Sequence, residues 1–154
     1  AGDRPDLARP GIPSLADRYP GSPLGGLYTA LEAAETPYVF IVACDMPFLD
    51  PQLIRAVVAG RRGHDVVVIR TPEGLEPLFA LYGKGCLGPM REQLESGNLR
   101  IYDFFPQVRV RYLDPDELPP GWERALRNVN TPEDLRQLSA PPPAETLAER
   151  EGGE

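Results

Sequence analysis

Three short stretches hold the side chains best suited to chemistry. The first is Tyr38-Val-Phe-Ile-Val-Ala-Cys-Asp-Met-Pro-Phe-Leu-Asp50, an apolar run that stops at a carboxylate, Asp45, before the chain turns at Pro47. An unbroken run such as Tyr38 to Cys44 suits a strand buried on both faces of a parallel sheet. Ligands of open α/β sheets gather at the carboxyl ends of strands, which is where Asp45 falls. The plainer role for Asp45 is to cap the turn. The second stretch is Asp17-Arg-Tyr-Pro-Gly-Ser-Pro-Leu-Gly-Gly-Leu27, a loop feeding a helix whose first turn holds Gly25 and Gly26. Glycines there let a ligand approach backbone N–H groups, and a helix N-terminus favours anions; the alternative is a flexible turn with close helix packing. The third is Asn128-Val-Asn130, where two amides offer donors and acceptors without charge, suited to a phosphate or a heterocycle edge. Asn130 has the competing role of helping to cap the helix that follows.

What is scarce is as informative. His64 is the sole histidine and sits among polar residues, so neither a histidine metal cluster nor a Ser-His-Asp relay is expected. Neither Gly-x-Gly-x-x-Gly nor a Walker A motif occurs. Cys44 and Cys86 have no metal or redox spacing, and Cys44 is expected to be a small core residue. Arg61, Arg62, Arg109 and Arg111 are expected to be solvated, Arg100 and Lys84 to lie near turns facing a ligand, and Trp122 to pack. Net charge is −7, with four Glu against one Arg in the last fifteen residues. That balance lacks the basic stripe of a nucleic-acid surface. No apolar run is long enough to span a bilayer, and the cysteine usage fits a reducing, cytoplasmic setting.

The elements that must position these residues follow from local signals. Ser22 and Pro23 start a helix that turns Leu24, Leu27 and Leu31 inward. Strand 38–44 comes next, then a helix from Pro51 to Gly60 with Asp50 as N-cap and Leu53, Ile54 and Val57 inward. Residues 65–70 read as a second buried strand, a turn at Gly74 leads to a third at 77–82, and helix 86–96 ends at Gly97. Residues 100–105 suit one or two helical turns, 107–112 a strand with one wet face, and 114–122 a loop. Thr131, Pro132 and Asp134 form a capping signature for a helix reaching Leu138; the Pro- and Glu-rich residues beyond it read as disordered. Strands alternating with helices indicate an α/β fold with a mainly parallel sheet. At 154 residues the chain suits one domain, residues 1–139, with a tail at 140–154.

Taken in order, the Asp17–Leu27 stretch, Cys44-Asp-Met-Pro-Phe-Leu and Asn128-Val-Asn-Thr-Pro-Glu-Asp-Leu resemble the molybdenum-cofactor guanylyltransferases of the nucleoside-triphosphate-transferase superfamily. Glu76-Pro-Leu-Phe-Ala-Leu-Tyr and Ser96-Gly-Asn-Leu-Arg100 are similar too, and the likeness runs from about Asp17 to Leu138. The resemblance implies a three-layer Rossmann-like nucleotidyltransferase fold with a mixed sheet. It also implies a reaction in which GTP and the phosphate of molybdopterin give the guanine dinucleotide and pyrophosphate. Asp45 would be the catalytic carboxylate, holding Mg²⁺ (or Mn²⁺ in its place). Asp17, Pro23, Leu24, Gly25 and Gly26, with Asp45, would contact the nucleotide. Asn128, Asn130 and Arg100 would face molybdopterin. Other cofactor-assembly proteins or acceptor molybdoenzymes would be partners, with nucleic acid and membrane excluded. A sister transferase using CTP or another acceptor, and a non-catalytic molybdopterin- or partner-binding module, are the rival readings. The family opens with a strand and a Gly-rich loop, Leu-Ala-Gly-Gly then Arg-Met-Gly and a Lys, which this sequence does not contain. The chain alone is therefore expected to be a weak catalyst with an unpaired apolar sheet edge.

Overall fold

The computed structural model describes residues 14–131; the expected helix after Thr131, the tail and the first thirteen residues lie outside them. Helix α1 (Pro23–Ala33) starts where its caps predict: Ser22 is extended, its hydroxyl accepts the Gly25 amide at 3.1 Å, and Pro23 needs no partner for the N–H it lacks. Leu24, Leu27 and Leu31 are buried as expected. The far end is held from a distance. Lys84 Nζ donates to the carbonyls of Leu31, Glu32 and Ala34 at 2.6, 3.1 and 2.6 Å, satisfying acceptors that a helix C-terminus leaves open. Lys84, expected to face a ligand, is thus a helix cap.

Four strands form one mixed sheet in the order β1-β3-β2-β4: β1 (Tyr38–Val42), β2 (Val66–Thr71), β3 (Gly74–Gly83) and β4 (Val110–Leu113). β2 and β3 make a hairpin whose turn ends at Gly74, with φ of +142°. Strand β3 pairs antiparallel with both β1 and β2, and β2 pairs parallel with β4. Three strands therefore share a direction while the reversed one lies between two of them, leaving a single parallel ladder. The register of β2 against β3 slips between Val68 and Arg70. Pro77 stands in that irregular stretch, where its missing N–H costs no ladder bond, and the Tyr82 hydroxyl donates to its carbonyl at 2.7 Å.

The two apolar runs fare differently. Val66 to Ile69 are at most 1% exposed, dividing between the two faces: Val66 and Val68 pack with α1 and α3 (Leu87–Glu95), Val67 and Ile69 with α2 (Pro51–Ala59). β1, expected to be buried and central, is half-buried and lies at an edge, with β3 as its one partner strand among the described residues. It ends at Val42, and Cys44 is exposed in the turn beyond rather than in the core. Burial needs a neighbour on both sides, and an apolar sequence does not supply one.

Helices α1 and α3, with a 3₁₀ segment Ile101–Gln107, cover one face of the sheet; α2 and the short α4 (Trp122–Ala125) cover the other, giving three layers. α4 begins at Trp122, the last residue of the expected loop. Helix α3 is followed by Gly97 with φ of +79°, as expected of a C′ glycine. Two arginines expected to be solvated are paired: Arg109 grips Asp65 at 3.0 and 3.1 Å, and Arg111 pairs with Glu117. The Arg109 guanidinium and amide, against some cost of burial, hold the Asp65 carboxyl below its usual range. No helix among the described residues is long and apolar enough to cross a membrane.

Candidate active site

Direction decides which ends meet. Gly83, the last residue of β3, pairs with Tyr38, the first of β1, and the next residue, Lys84, holds the C-terminus of α1. Helix α1 therefore starts at the opposite end of the sheet, beside the residues that follow Val42. At 1.5 Å per residue its eleven residues span about 16 Å, close to the length of a five-residue strand. So Ser22 to Gly26 lie toward the sheet edge where the chain emerges into Ala43, Cys44 and Asp45. Helix α3 runs the same way from Cys86, and the Tyr19 hydroxyl reaches Glu95 near its end at 3.5 Å. The 96–100 loop, with Arg100, thus belongs to that edge as well.

Asp45 is half-exposed in a tight turn closed by the Met46 amide on the Ala43 carbonyl at 3.2 Å. Its own carbonyl accepts the amide of Val129 at 2.7 Å. This bond seats Asn128 and Asn130, both exposed, on either side of a residue in direct contact with Asp45. Two motifs separated by more than half the described chain are thereby joined. On the other flank, the Ala43 amide donates to Leu78 at 2.8 Å, extending the β1–β3 ladder toward Glu76. Burial, and secondarily the charge of Glu73, raises the Glu76 carboxyl above its usual range. The family-like Glu76-Pro-Leu motif assigned no role to that position.

The nucleotide-side residues are placed less uniformly. Pro23 is exposed at the start of α1, whereas the Leu24 side chain is wholly buried, contributing packing rather than a ligand surface. The Gly25 and Gly26 amides are engaged with the Ser22 hydroxyl and carbonyl, so the first turn offers a ligand its dipole and a close approach, not a free N–H from either glycine. Gly25 has a further duty: a Cβ there would lie 1.7 Å from the Tyr19 carbonyl oxygen. The loop before the helix runs back along it, with the Arg18 amide on Thr29 Oγ1 at 2.8 Å and its guanidinium on Glu32 at 2.7 and 2.8 Å. Asp17, the residue before, is thus beside the middle of α1 and not at its first turn. Arg100 is exposed, its amide held by Asn98 at 3.1 Å and its carbonyl by the Gln93 side chain.

Among the described residues no group of three or more His, Cys, Asp or Glu side chains could hold a metal. A divalent cation at Asp45 would draw its other ligands from water and phosphate oxygens, a donor set that suits Mg²⁺. Sequence reading passed over one neighbour. Arg124 in α4 lies over the ring of Phe48, three residues past Asp45, at 4.9 Å from its centroid. Phe48 sits in a visible motif, but its partner comes from a distant segment with no local signal.

The two cysteines make a probe of this edge. Burial pushes the Cys86 thiol up to about 12, and its side chain is inaccessible, whereas Cys44 is exposed beside Asp45. Alkylation of the native chain at pH 8 is expected to modify one thiol, at Cys44, and of the unfolded chain two, counted by mass spectrometry. Native modification of Cys86 at a comparable rate would contradict this packing.

Residues 1–109 match the family model described as MobA-like NTP transferase domain. The chain is 43% identical over 117 residues to a probable molybdenum cofactor guanylyltransferase of Pelotomaculum thermopropionicum, covering 75% of this chain and 57% of that protein. It is 36% identical over 126 residues to the molybdenum cofactor guanylyltransferase of Desulfosudis oleivorans, covering 76% of this chain and 59% of that one. It thus spans a little over half the length of these relatives. A crystal structure of an Aquifex aeolicus protein superposes with a TM-score of 0.67 at 28% identity, over 77% of this chain and 62% of the other. The structure of molybdopterin-guanine dinucleotide biosynthesis protein A from Archaeoglobus fulgidus gives 0.68 at 23% identity over 80% and 64%, a likeness of fold.

Proposed function

From its membership of the MobA-like NTP transferase domain family, we propose that the chain forms part of a nucleotidyltransferase that moves GMP from GTP onto the phosphate of molybdopterin, yielding the guanine dinucleotide and pyrophosphate. The names of its relatives support the choice of substrates. The observation that carries the reading is the Val129–Asp45 bond, which puts a carboxylate suited to a cation and a pair of amides suited to an acceptor at one strand end. The attacking oxygen already belongs to a phosphate anion, so no general base is needed, in keeping with a lone histidine, His64, that meets Tyr38 at the end of β1 opposite to Asp45. Catalysis then rests on in-line positioning and charge neutralisation. Asp45 holds the divalent ion, Mg²⁺ or Mn²⁺, which when bound supplies positive charge to the phosphate oxygens. Asn128 and Asn130 orient the acceptor, Arg100 adds positive charge from the α3 side, and the N-terminal end of α1 favours the nucleotide's anionic part. Asp17 would contribute along the flank of α1. The reaction belongs in the cytoplasm, where GTP, molybdopterin and the receiving molybdoenzymes meet.

The test is pyrophosphate release and dinucleotide formation with GTP, molybdopterin and Mg²⁺, using protein that includes any residues encoded upstream of Ala1. CTP in place of GTP separates the sister transferase: preference for CTP would reassign the base. Within the same assay Asn128→Ala is expected to raise KM for molybdopterin about tenfold while leaving GTP affinity unchanged, the loss of one or two hydrogen bonds. Weakened GTP binding with a normal acceptor KM would move Asn128 to the nucleotide side.

A further inference from the structure

A hollow of about 400 Å³ opens at the β4 edge of the sheet, on the face that α1 and α3 cover. Leu75, Val108, Val110 and Tyr112 line it from the sheet, and Tyr102 and Phe105 from the 3₁₀ segment. No charged side chain lines it, so it does not suit a phosphate ligand. Phe105 is buried at its base, and Arg70 lies over the Tyr112 ring at 5.4 Å from the centroid. The open aromatic face is that of Tyr102, which is 50% exposed and has neither a ring contact nor a side-chain hydrogen bond among the described residues. Contiguous apolar surface beside such a ring marks a place of contact.

Chemistry narrows what covers it. Strand addition is opposed, because β4 has only four residues and the charged Arg109 and Arg111 stand along its free edge, a usual defence against pairing. A tyrosine-walled apolar hollow suits instead a proline-rich segment. The left-handed extended form of such a segment is set before binding and leaves its carbonyls open to a hydroxyl donor. The chain's own sequence supplies one, Pro141-Pro-Pro143, outside the described residues. It is near enough. Thr131, the last described residue, stands two residues past Val129, whose amide bonds to Asp45 beyond the carboxyl end of β1. Three strand spacings separate β1 from β4, about 14 Å in all. Pro141 is ten residues beyond Thr131, a reach of about 20 Å if the residues to Leu138 are helical and about 33 Å if extended. The charges agree as well. Glu145 and Glu149 follow the prolines, while the exposed Arg100, two residues before Tyr102, has a guanidinium with no ion-pair partner among the described residues. We propose that this hollow seats Pro141 to Pro143 of the chain's own tail, packed on the Tyr102 ring. The proposal stands apart from the transferase reading and draws on none of its substrates.

The full chain is compared by amide NMR with one carrying Pro141→Ser, Pro142→Ser and Pro143→Ser together. These distant substitutions are expected to shift the amides of Tyr102, Phe105, Val110 and Tyr112, by the same amount before and after dilution of the protein. A synthetic peptide of residues 139–150 is then titrated onto both chains. It is expected to bind the serine variant about tenfold more tightly than the unaltered chain, whose tethered prolines compete at a high effective concentration. Tyr102→Ala, at an exposed position outside the core, is expected to abolish both effects. Dilution-independent shifts that vanish with Tyr102→Ala support the proposal, whether or not the untethered peptide saturates. Shifts that fade on dilution would hand the hollow to a second copy and overturn it. Saturable peptide binding equal on the two chains would leave the hollow to a partner's proline-rich segment and overturn it too. Unshifted amides, or shifts that survive Tyr102→Ala, have the same consequence.

Discussion

Asp45→Ala is expected to lower Mg²⁺-dependent pyrophosphate release by about 10²–10³-fold, with far-ultraviolet circular dichroism unchanged. The size follows from what the side chain would do: hold the ion that offsets charge on the transferring phosphoryl group, a contribution of several kcal/mol. The fold should not notice. The Asp45 side chain is half-exposed, and the contact that ties its turn to residue 129 uses the backbone carbonyl, which alanine keeps. Asp45→Asn separates charge from shape, retaining an oxygen ligand and losing the anion, and is expected to fall between wild type and alanine. Turnover of Asp45→Ala within a fewfold of wild type would remove this residue from the chemistry.

Gly25→Ala should injure the protein by a different route. The added Cβ would stand 1.7 Å from the Tyr19 carbonyl oxygen and 2.8 Å from its carbon, and both are backbone atoms that cannot swing aside. The loop 17–21 must lift off α1, or the first turn must unwind and release the Ser22 cap. The Tyr19–Tyr28 edge-to-face contact, with ring centroids 5.4 Å apart, would be disturbed with it. The expected cost is about 1–3 kcal/mol, as for other overpacked sites, with Tm lower by several degrees and nucleotide affinity reduced as the loop shifts. Gly88→Ala is the control: it too lies in a helix, nothing stands within 4 Å of the added carbon, and alanine is the better helix former. It is expected to be neutral or mildly stabilising, and equal losses from the two in thermal unfolding would refute the clash.

Local chemistry was legible before any coordinates. Ser22-Pro23, Asp50-Pro51 and Gly97 mark helix ends because a cap is settled within one turn of chain, and each stands where its type predicts. The three candidate motifs were legible as well, and two of them meet through Asp45 and Val129. What sequence could not carry is whatever depends on a distant neighbour. Tyr38 to Cys44 and Val66 to Ile69 are alike as apolar runs, yet among the described residues only the second has strands on both sides. Lys84 and Arg109 look like spare surface charges until a helix end and Asp65 are brought to them. Asp17 shares a motif with the glycines of α1, but the loop doubles back and carries it along the helix flank. Phe48 and Arg124 meet by the same kind of long-range accident of topology.

The reversed strand in the middle of the sheet sets an order of assembly. Among the described strands the β2–β3 hairpin is the one pairing between neighbours in sequence, so its loop closes quickly, on the microsecond scale typical of hairpins. Strand β1 can dock only on the finished outer side of β3, after a much longer segment has been reeled in. During refolding, then, the amides of Val67 and Leu81 should become shielded from exchange before those of Val39 and Ile41. The acid that follows β1 would be the late arrival, delivered to its post once the scaffold behind it has set.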